Sequence, residues 1–206
     1  MNIFRESLPV INSKVRILHA VPKAPKVDVY INGQKIAEAL EFSKITNYFV
    51  INPGSFEMQI YNSGTYDTPL LSQKIEISPT ANYTFCIVTL QGSLYIFRLK
   101  DDNVPSTKLT SFLRFINLSA NAPLVSLALP NDVVLFNGAE YLETTGYYQL
   151  SSGIYNFKFL FDSATSTAKF IKNLTLDNGN FYTIYIIGVY NSKPPLGYLF
   201  VEDSKD

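Results

Sequence analysis

The chain has 206 residues, with 17 Lys and Arg set against 17 Asp and Glu, so its formal charge is +0 and it has no general field to gather a polyanion or an acidic membrane. With 47% hydrophobic residues, 15 Phe and 14 Tyr, it reads as a folded, aromatic-rich protein rather than a disordered one. One Cys and one His exclude an internal disulfide and a two-His metal motif, and no cofactor is expected.

The first 13 residues form an apolar arm carrying Ile3, Phe4, Leu8, Val10 and Ile11, broken by Arg5, Glu6 and Pro9. A secretory signal would need an unbroken apolar core of about 7 residues or more. Synthesis in the cytoplasm is therefore expected, with deposition on a spore or cell surface by a route that needs no signal. Strand patterns follow at short intervals. Residues 15–19 form the first. Val27-Asp28-Val29-Tyr30-Ile31 alternates with period two and ends at Asn32-Gly33, a strong hairpin signal. Residues 36–42 read as a helical turn within a loop. Residues 47–51 run into the turn pair Pro53-Gly54, and 56–61, 70–77, 83–90 and 94–99 complete about seven strands. Lone Cys86, in Tyr83-Thr84-Phe85-Cys86-Ile87-Val88, reads as a buried, inert thiol. Residues 101–111, with Asp101-Asp102-Asn103 and Pro105, read as an exposed linker. Those acids, and Glu202-Asp203 at the far end, are expected to be solvated strand ends, since neither has the loop pattern of a calcium site.

The same pattern then recurs. Val15-Arg16-Ile17-Leu18-His19-Ala20 lies over Leu113-Arg114-Phe115-Ile116-Asn117-Leu118, 98 positions later. Tyr48-Phe49-Val50-Ile51 lies over Tyr147-Tyr148-Gln149-Leu150, and Tyr83-Thr84 over Tyr182-Thr183, each 99 positions later. Two modules of like fold follow, 14–100 and 112–206. Their short strands predict an all-β protein of two tandem immunoglobulin/fibronectin-III-like antiparallel β-sandwiches. Tyr83 and Tyr182 each stand six residues after an apolar residue, Ile77 and Leu176, across a turn, as tyrosine corners do. Residues 181–190 are too few to span a membrane, which takes about 20, and read as a buried strand, so no membrane insertion is expected. That segment and 157–161 are apolar on both alternation faces, which predicts a covering partner.

Chemistry is sparse. His19 and Asp28 stand at the ends of the first two strands, His19 closing one and Asp28 near the opening of the next, and are replaced together by Asn117 and Ser126 in the second copy. The joint change predicts that the two side chains touch in a structural hydrogen bond, with Pro22 and Pro25 shaping the connection. No Gly-x-Ser-x-Gly supplies a nucleophile for a triad, and no enzyme activity is expected. Neither a phosphate-binding glycine motif nor a basic patch occurs, so no nucleic-acid partner is expected. Tyr61, Tyr66, Tyr141, Tyr147-Tyr148 and Phe159-Leu160-Phe161 either line a carbohydrate or protein groove or fill the cores.

The run His19-Ala20-Val21-Pro22-Lys23-Ala24-Pro25-Lys26-Val27-Asp28-Val29-Tyr30-Ile31-Asn32-Gly33 resembles the opening signature of the bacterial domain-of-unknown-function family DUF4397. Tyr48 followed by an apolar pair and Pro53-Gly54, and the closing Leu196-Gly197-Tyr198-Leu199, resemble that family too. The second copy departs from the signature at Asn117, Ser126, Leu127 and Ala128. The resemblance implies paired β-sandwich modules on exported or envelope proteins, without an established activity. The expected function is a non-enzymatic structural or self-assembling surface protein, of a spore or cell envelope, with the N-terminal arm donated to an edge strand of a neighbouring copy. The alternative is a glycan- or protein-binding adhesion module.

Overall fold

The computed structural model describes residues 11–101, 109–162 and 169–203. The first half forms strands β1 (Ser13–His19), β2 (Val27–Ile31), β3 (Gln34–Leu40), β4 (Phe49–Ile51), β5 (Gly54–Asn62), β6 (Leu71–Ile77), β7 (Asn82–Leu90) and β8 (Ser93–Asp101). The second repeats them as β9 (Thr110–Asn117), β10 (Val125–Ala128), β11 (Val134–Ala139), β12 (Tyr148–Ser151), β13 (Gly153–Phe161), β14 (Lys169–Leu176), β15 (Phe181–Ile187) and β16 (Gly197–Glu202). Each half is a sandwich of two four-stranded sheets, β4-β1-β7-β8 on β3-β2-β5-β6 and β12-β9-β15-β16 on β11-β10-β13-β14.

Each sandwich closes over its own core. Val15, Ile17, Val29, Met58, Ile60, Phe85 and Ile87 fill the first, and Leu113, Phe115, Leu127, Phe157, Ile171, Leu176 and Ile184 the second. β-branched and aromatic residues dominate these strands because their side chains pack on a pleated, half-buried surface.

Several expectations change. Each copy has eight strands, not seven, because residues 36–42 do not form a helical turn: β3 covers most of them, paired with β2 across the Asn32-Gly33 turn. The sandwiches are not purely antiparallel. β1 runs parallel to β7, and β9 parallel to β15. Each parallel pair joins the first strand of a module to its seventh, so no short hairpin dictates its sense. Ser13 belongs to β1, where its hydroxyl bonds Ser78 O at 2.6 Å, rather than to the arm. Ile11 is exposed. Ile3, Phe4, Leu8 and Val10 lie outside the described residues. Of the expected linker, Asp101 ends β8, Thr110 and Ser111 start β9, and 102–108 lie outside the described residues.

The inner sheets of the two sandwiches, β4-β1-β7-β8 and β12-β9-β15-β16, pack back to back through a third apolar cluster. Leu18, Ala20, Cys86, Val88 and Leu99 of the first meet Ile116, Leu118, Tyr185 and Ile187 of the second. The molecule is thus four β-layers deep. All seven residues of β15 are buried, odd and even alike, because one face meets its own core and the other meets the sister sandwich. The covering partner expected for that segment is inside the chain.

Candidate functional site

Strand alternation builds the seam between the sandwiches. In β1, Val15 and Ile17 point into the first core, so Arg16 and Leu18 point out of it, toward the second sandwich. Arg16 donates from Nε to Thr84 Oγ1 at 2.8 Å within its own module, and from Nη1 to Glu202 O at 3.0 Å across the seam. Its Nη2 reaches the Asp203 carboxylate and, at 3.4 Å, Tyr185 OH. The equivalent Arg114 repeats the pattern in reverse. It donates from Nε to Thr183 Oγ1 at 3.0 Å, from Nη1 to Lys100 O at 2.9 Å and from Nη2 to Asp101 Oδ1 at 2.6 Å.

The carboxylates are held as symmetrically. Asp101 Oδ2 accepts from Tyr48 OH at 2.7 Å and Thr84 Oγ1 at 2.8 Å. Asp203 Oδ2 accepts from Tyr147 OH at 2.8 Å and Thr183 Oγ1 at 2.6 Å. The Arg16 guanidinium lies 4.4 Å from the Tyr48 ring centroid, and that of Arg114 lies 4.6 Å from Tyr147. Flat cations stacked on aromatic faces keep all their in-plane donors free for oxygen.

Four charges are shut away here, with Arg16, Asp101, Arg114 and Asp203 each at most 3% exposed. Burial by itself pulls Arg16 down, but Tyr185, Asp203, Tyr48 and Asp101 together outweigh it and hold it above its ordinary range; Arg114 behaves alike. Burial, aided by Asp101, pushes the Asp203 carboxyl up against the opposing pull of both guanidiniums. Burial also pushes up Tyr48 and Tyr147, which stay neutral and can donate to the carboxylates, and the thiol of Cys86. The expectation of solvated strand ends fails at Asp101 and Asp203 because each is the counter-charge of an arginine on the other module. That occupation also removes both from any calcium set. Among the described residues no three His, Cys, Asp or Glu side chains group as a metal site would require.

The other expected site residues lie elsewhere. His19 and Asp28 do not bond each other. His19 Nδ1 accepts from Val21 N at 3.3 Å and Nε2 lies 3.2 Å from Pro25 O, so the ring pins the loop that contains Pro22 and Pro25. Asp28 instead accepts from Ala39 N at 2.8 Å and Gly64 N at 3.2 Å, and meets Lys35. Their replacements do parts of the same work separately. Asn117 Oδ1 accepts from Ser119 N at 3.0 Å, and Ser126 Oγ from Gly138 N at 2.8 Å. The positions change together without a hydrogen bond between them. Tyr83 OH accepts from Ser78 N at 3.4 Å and Tyr182 OH from Asp177 N at 3.2 Å, each five residues back across the turn.

The aromatics divide by location. Tyr147 belongs to the seam, Tyr141 donates to Thr89 O across it at 2.6 Å, and Phe159 is in the second core. On the first sandwich, Tyr30, Tyr61 and Tyr66 form a three-ring cluster with centroids 4.7 to 5.3 Å apart, of which Tyr66 is exposed. The corresponding positions on β10 and β13 carry Ala128 and Leu160.

Sequence reasoning missed the seam, although its signal was in the repeat. An arginine in mid-strand, with apolar neighbours on both sides, stands at the same place in both copies, and an Asp closes each.

Fold and seam together define a class: a tandem pair of β-sandwiches, alike in plan and joined face to face by a reciprocal set of buried ion pairs. The model of the family described as "Domain of unknown function (DUF4397)" matches residues 13–128 and 129–206, and the chain belongs to that family, with two domains in tandem. The division between the matches falls after β10, inside the second sandwich. No curated protein matches the chain.

Proposed function

We propose that the chain is a non-catalytic structural unit, two immunoglobulin-like modules locked into one body, that assembles with copies of itself at a spore or cell surface. The observation that carries this is the seam, where the buried charged groups are spent on joining modules rather than presented to a cavity. The bonds of Tyr83 and Tyr182 back across their turns support the immunoglobulin-like description.

The open side of the first sandwich suits an edge contact. Along β6 and β8 the edge is tied, since Gln73 Nε2 donates to Ile96 O at 3.1 Å and Ile96 N donates to Gln73 Oε1 at 2.9 Å. Between β3 and β4 a groove of about 300 Å³ is lined by Ile31, Ile36, Phe49, Val50, Ile51 and Phe56 together with the polar Asn32 and Gln34, and Val50 is 62% exposed. An apolar segment from a neighbour could be received there by strand addition. Size-exclusion chromatography with light scattering, and negative-stain imaging, are the test, on the full chain and on a chain lacking residues 1–10. Ordered assemblies that vanish with the deletion are expected. A 23.2 kDa monomer in both cases would overturn the assembly reading.

The Tyr30, Tyr61 and Tyr66 cluster favours a second reading, adhesion to a glycan or protein, because only the first sandwich carries it. Saturable binding to a glycan array, abolished by Tyr66→Ala, would select it.

A further inference from the structure

The seam is made of equivalent positions that reach for one another: Arg16 for Asp203 and Arg114 for Asp101, Tyr48 and Tyr147 for the Asp of their own module, and each guanidinium for a backbone carbonyl opposite. Contact in which i meets j and j meets i is what an isologous interface between separate subunits looks like. Here both halves lie on one chain, yet no bond across the seam depends on their being linked.

Side-chain volume breaks the two-fold relation, most at one position and in the same sense at Ala20 and its equivalent Leu118. Cys86 and Tyr185 are equivalent in the repeat, both are fully buried, and both sit in the shared cluster. A seam of two first modules would set a small thiol at both places and leave volume unfilled. A seam of two second modules would set two tyrosines there and overfill it. Unlike halves are specified.

We infer that the seam is an exchangeable docking surface whose partner is the complementary sandwich of a second copy of this chain. The first module of one copy docks on the second module of another through the same four charges and the same apolar cluster. Reciprocal exchange closes a dimer, and exchange handed on from copy to copy gives an open chain. In an isolated molecule the linkage keeps the effective concentration of the tethered half high, so exchange takes place when the seam forms among crowded chains. The inference rests on the structural-unit reading above but uses no residue of the arm, so deletion of residues 1–10 leaves it intact and separates the two.

The test uses two full-length variants, one carrying Arg16→Glu with Asp101→Lys and the other Arg114→Glu with Asp203→Lys. Either alone puts like charges against each other in its own seam. Refolded together in equal amounts, exchange matches unaltered with unaltered halves and reversed with reversed halves. We expect neither variant alone to give a native monomer, and the mixture to give a heterodimer of twice 23.2 kDa by light scattering and native mass spectrometry. Absence of that heterodimer, while a chain carrying all four reversals folds as a monomer, overturns the inference. Should the fourfold reversal fail to fold, wild-type chains refolded as an equal mixture of isotopically heavy and light protein decide it. Mixed-mass dimers that increase with concentration support exchange, and monomers alone at every concentration overturn it.

Discussion

Asp203 accepts from a threonine and a tyrosine of its own module and pairs with Arg16 of the other, so its loss strands a guanidinium away from water. Asp203→Ala should lower the unfolding free energy by about 3–5 kcal/mol, whereas Arg16→Met with Asp203→Leu should cost far less, because removing a buried pair together leaves no uncompensated charge. Urea unfolding of the two variants measures the difference; equal losses would contradict it. His19 supplies a pH dependence of known sign. Burial is the main cause of its pKa lying below the ordinary 6.5, partly opposed by the bond to Pro25 O. Nδ1 must also stay unprotonated to accept from Val21 N. A depressed folded pKa means stability that is full above pH 6.5 and is lost as pH falls through the folded value. The urea midpoint should therefore drop between pH 7 and pH 5. In His19→Asn, which copies the arrangement at Asn117, this histidine-linked drop should be absent. Asp28, also held low, by the amides of Ala39 and Gly64 against its burial, adds a loss only below 3.8.

At the scale of elements, the bulge that opposes β2 to β3 recurs between β10 and β11. Its key residue is Ala39 in the first copy and Gly138 in the second, both left-handed at φ 47° and 62°. A Cβ on Gly138 would meet nothing nearer than Leu124 at 3.8 Å, so Gly138→Ala should cost only the backbone strain, about 1–2 kcal/mol, and Ala39→Gly should be neutral or gain slightly. Thermal melts measure both. Gly188 is a different case, since a Cβ there would lie 2.3 Å from Pro195 O, and Gly188→Ala should fail to reach the native fold, as far-UV circular dichroism would report. Most strands were legible in sequence from period-two alternation and from the turns at Asn32-Gly33 and Pro53-Gly54. β3 was not, because its bulges break the alternation that would mark it as a strand. Parallel pairing of β1 with β7 was hidden because strand patterning carries faces, not direction.

At the scale of the molecule, the repeat disclosed two modules but not how they meet. Apolar residues on both alternation faces of β15 signalled that something covers its second face, and the cover is the other half of the same chain. Arg16 and Arg114 were the readable sign of a polar centre to that contact. Their partners were obscured because Asp101 and Asp203 sit beside polar, turn-rich sequence that mimics an exposed end. The seam turns two sandwiches into one four-layer body, and its interior holds the chain's single cysteine at 0% exposure.

Cys86 is therefore the probe of the central claim. We would measure the rate at which a thiol reagent labels it in native protein across a range of urea concentrations, beside the circular dichroism of the sheets. If the seam is a permanent part of the fold, labelling in buffer is negligible, follows global unfolding, and becomes fast under native conditions only in Asp203→Ala. Rapid labelling of the wild-type chain in buffer, with the strand signal intact, would mean that the sandwiches part freely and that the seam does not unite them.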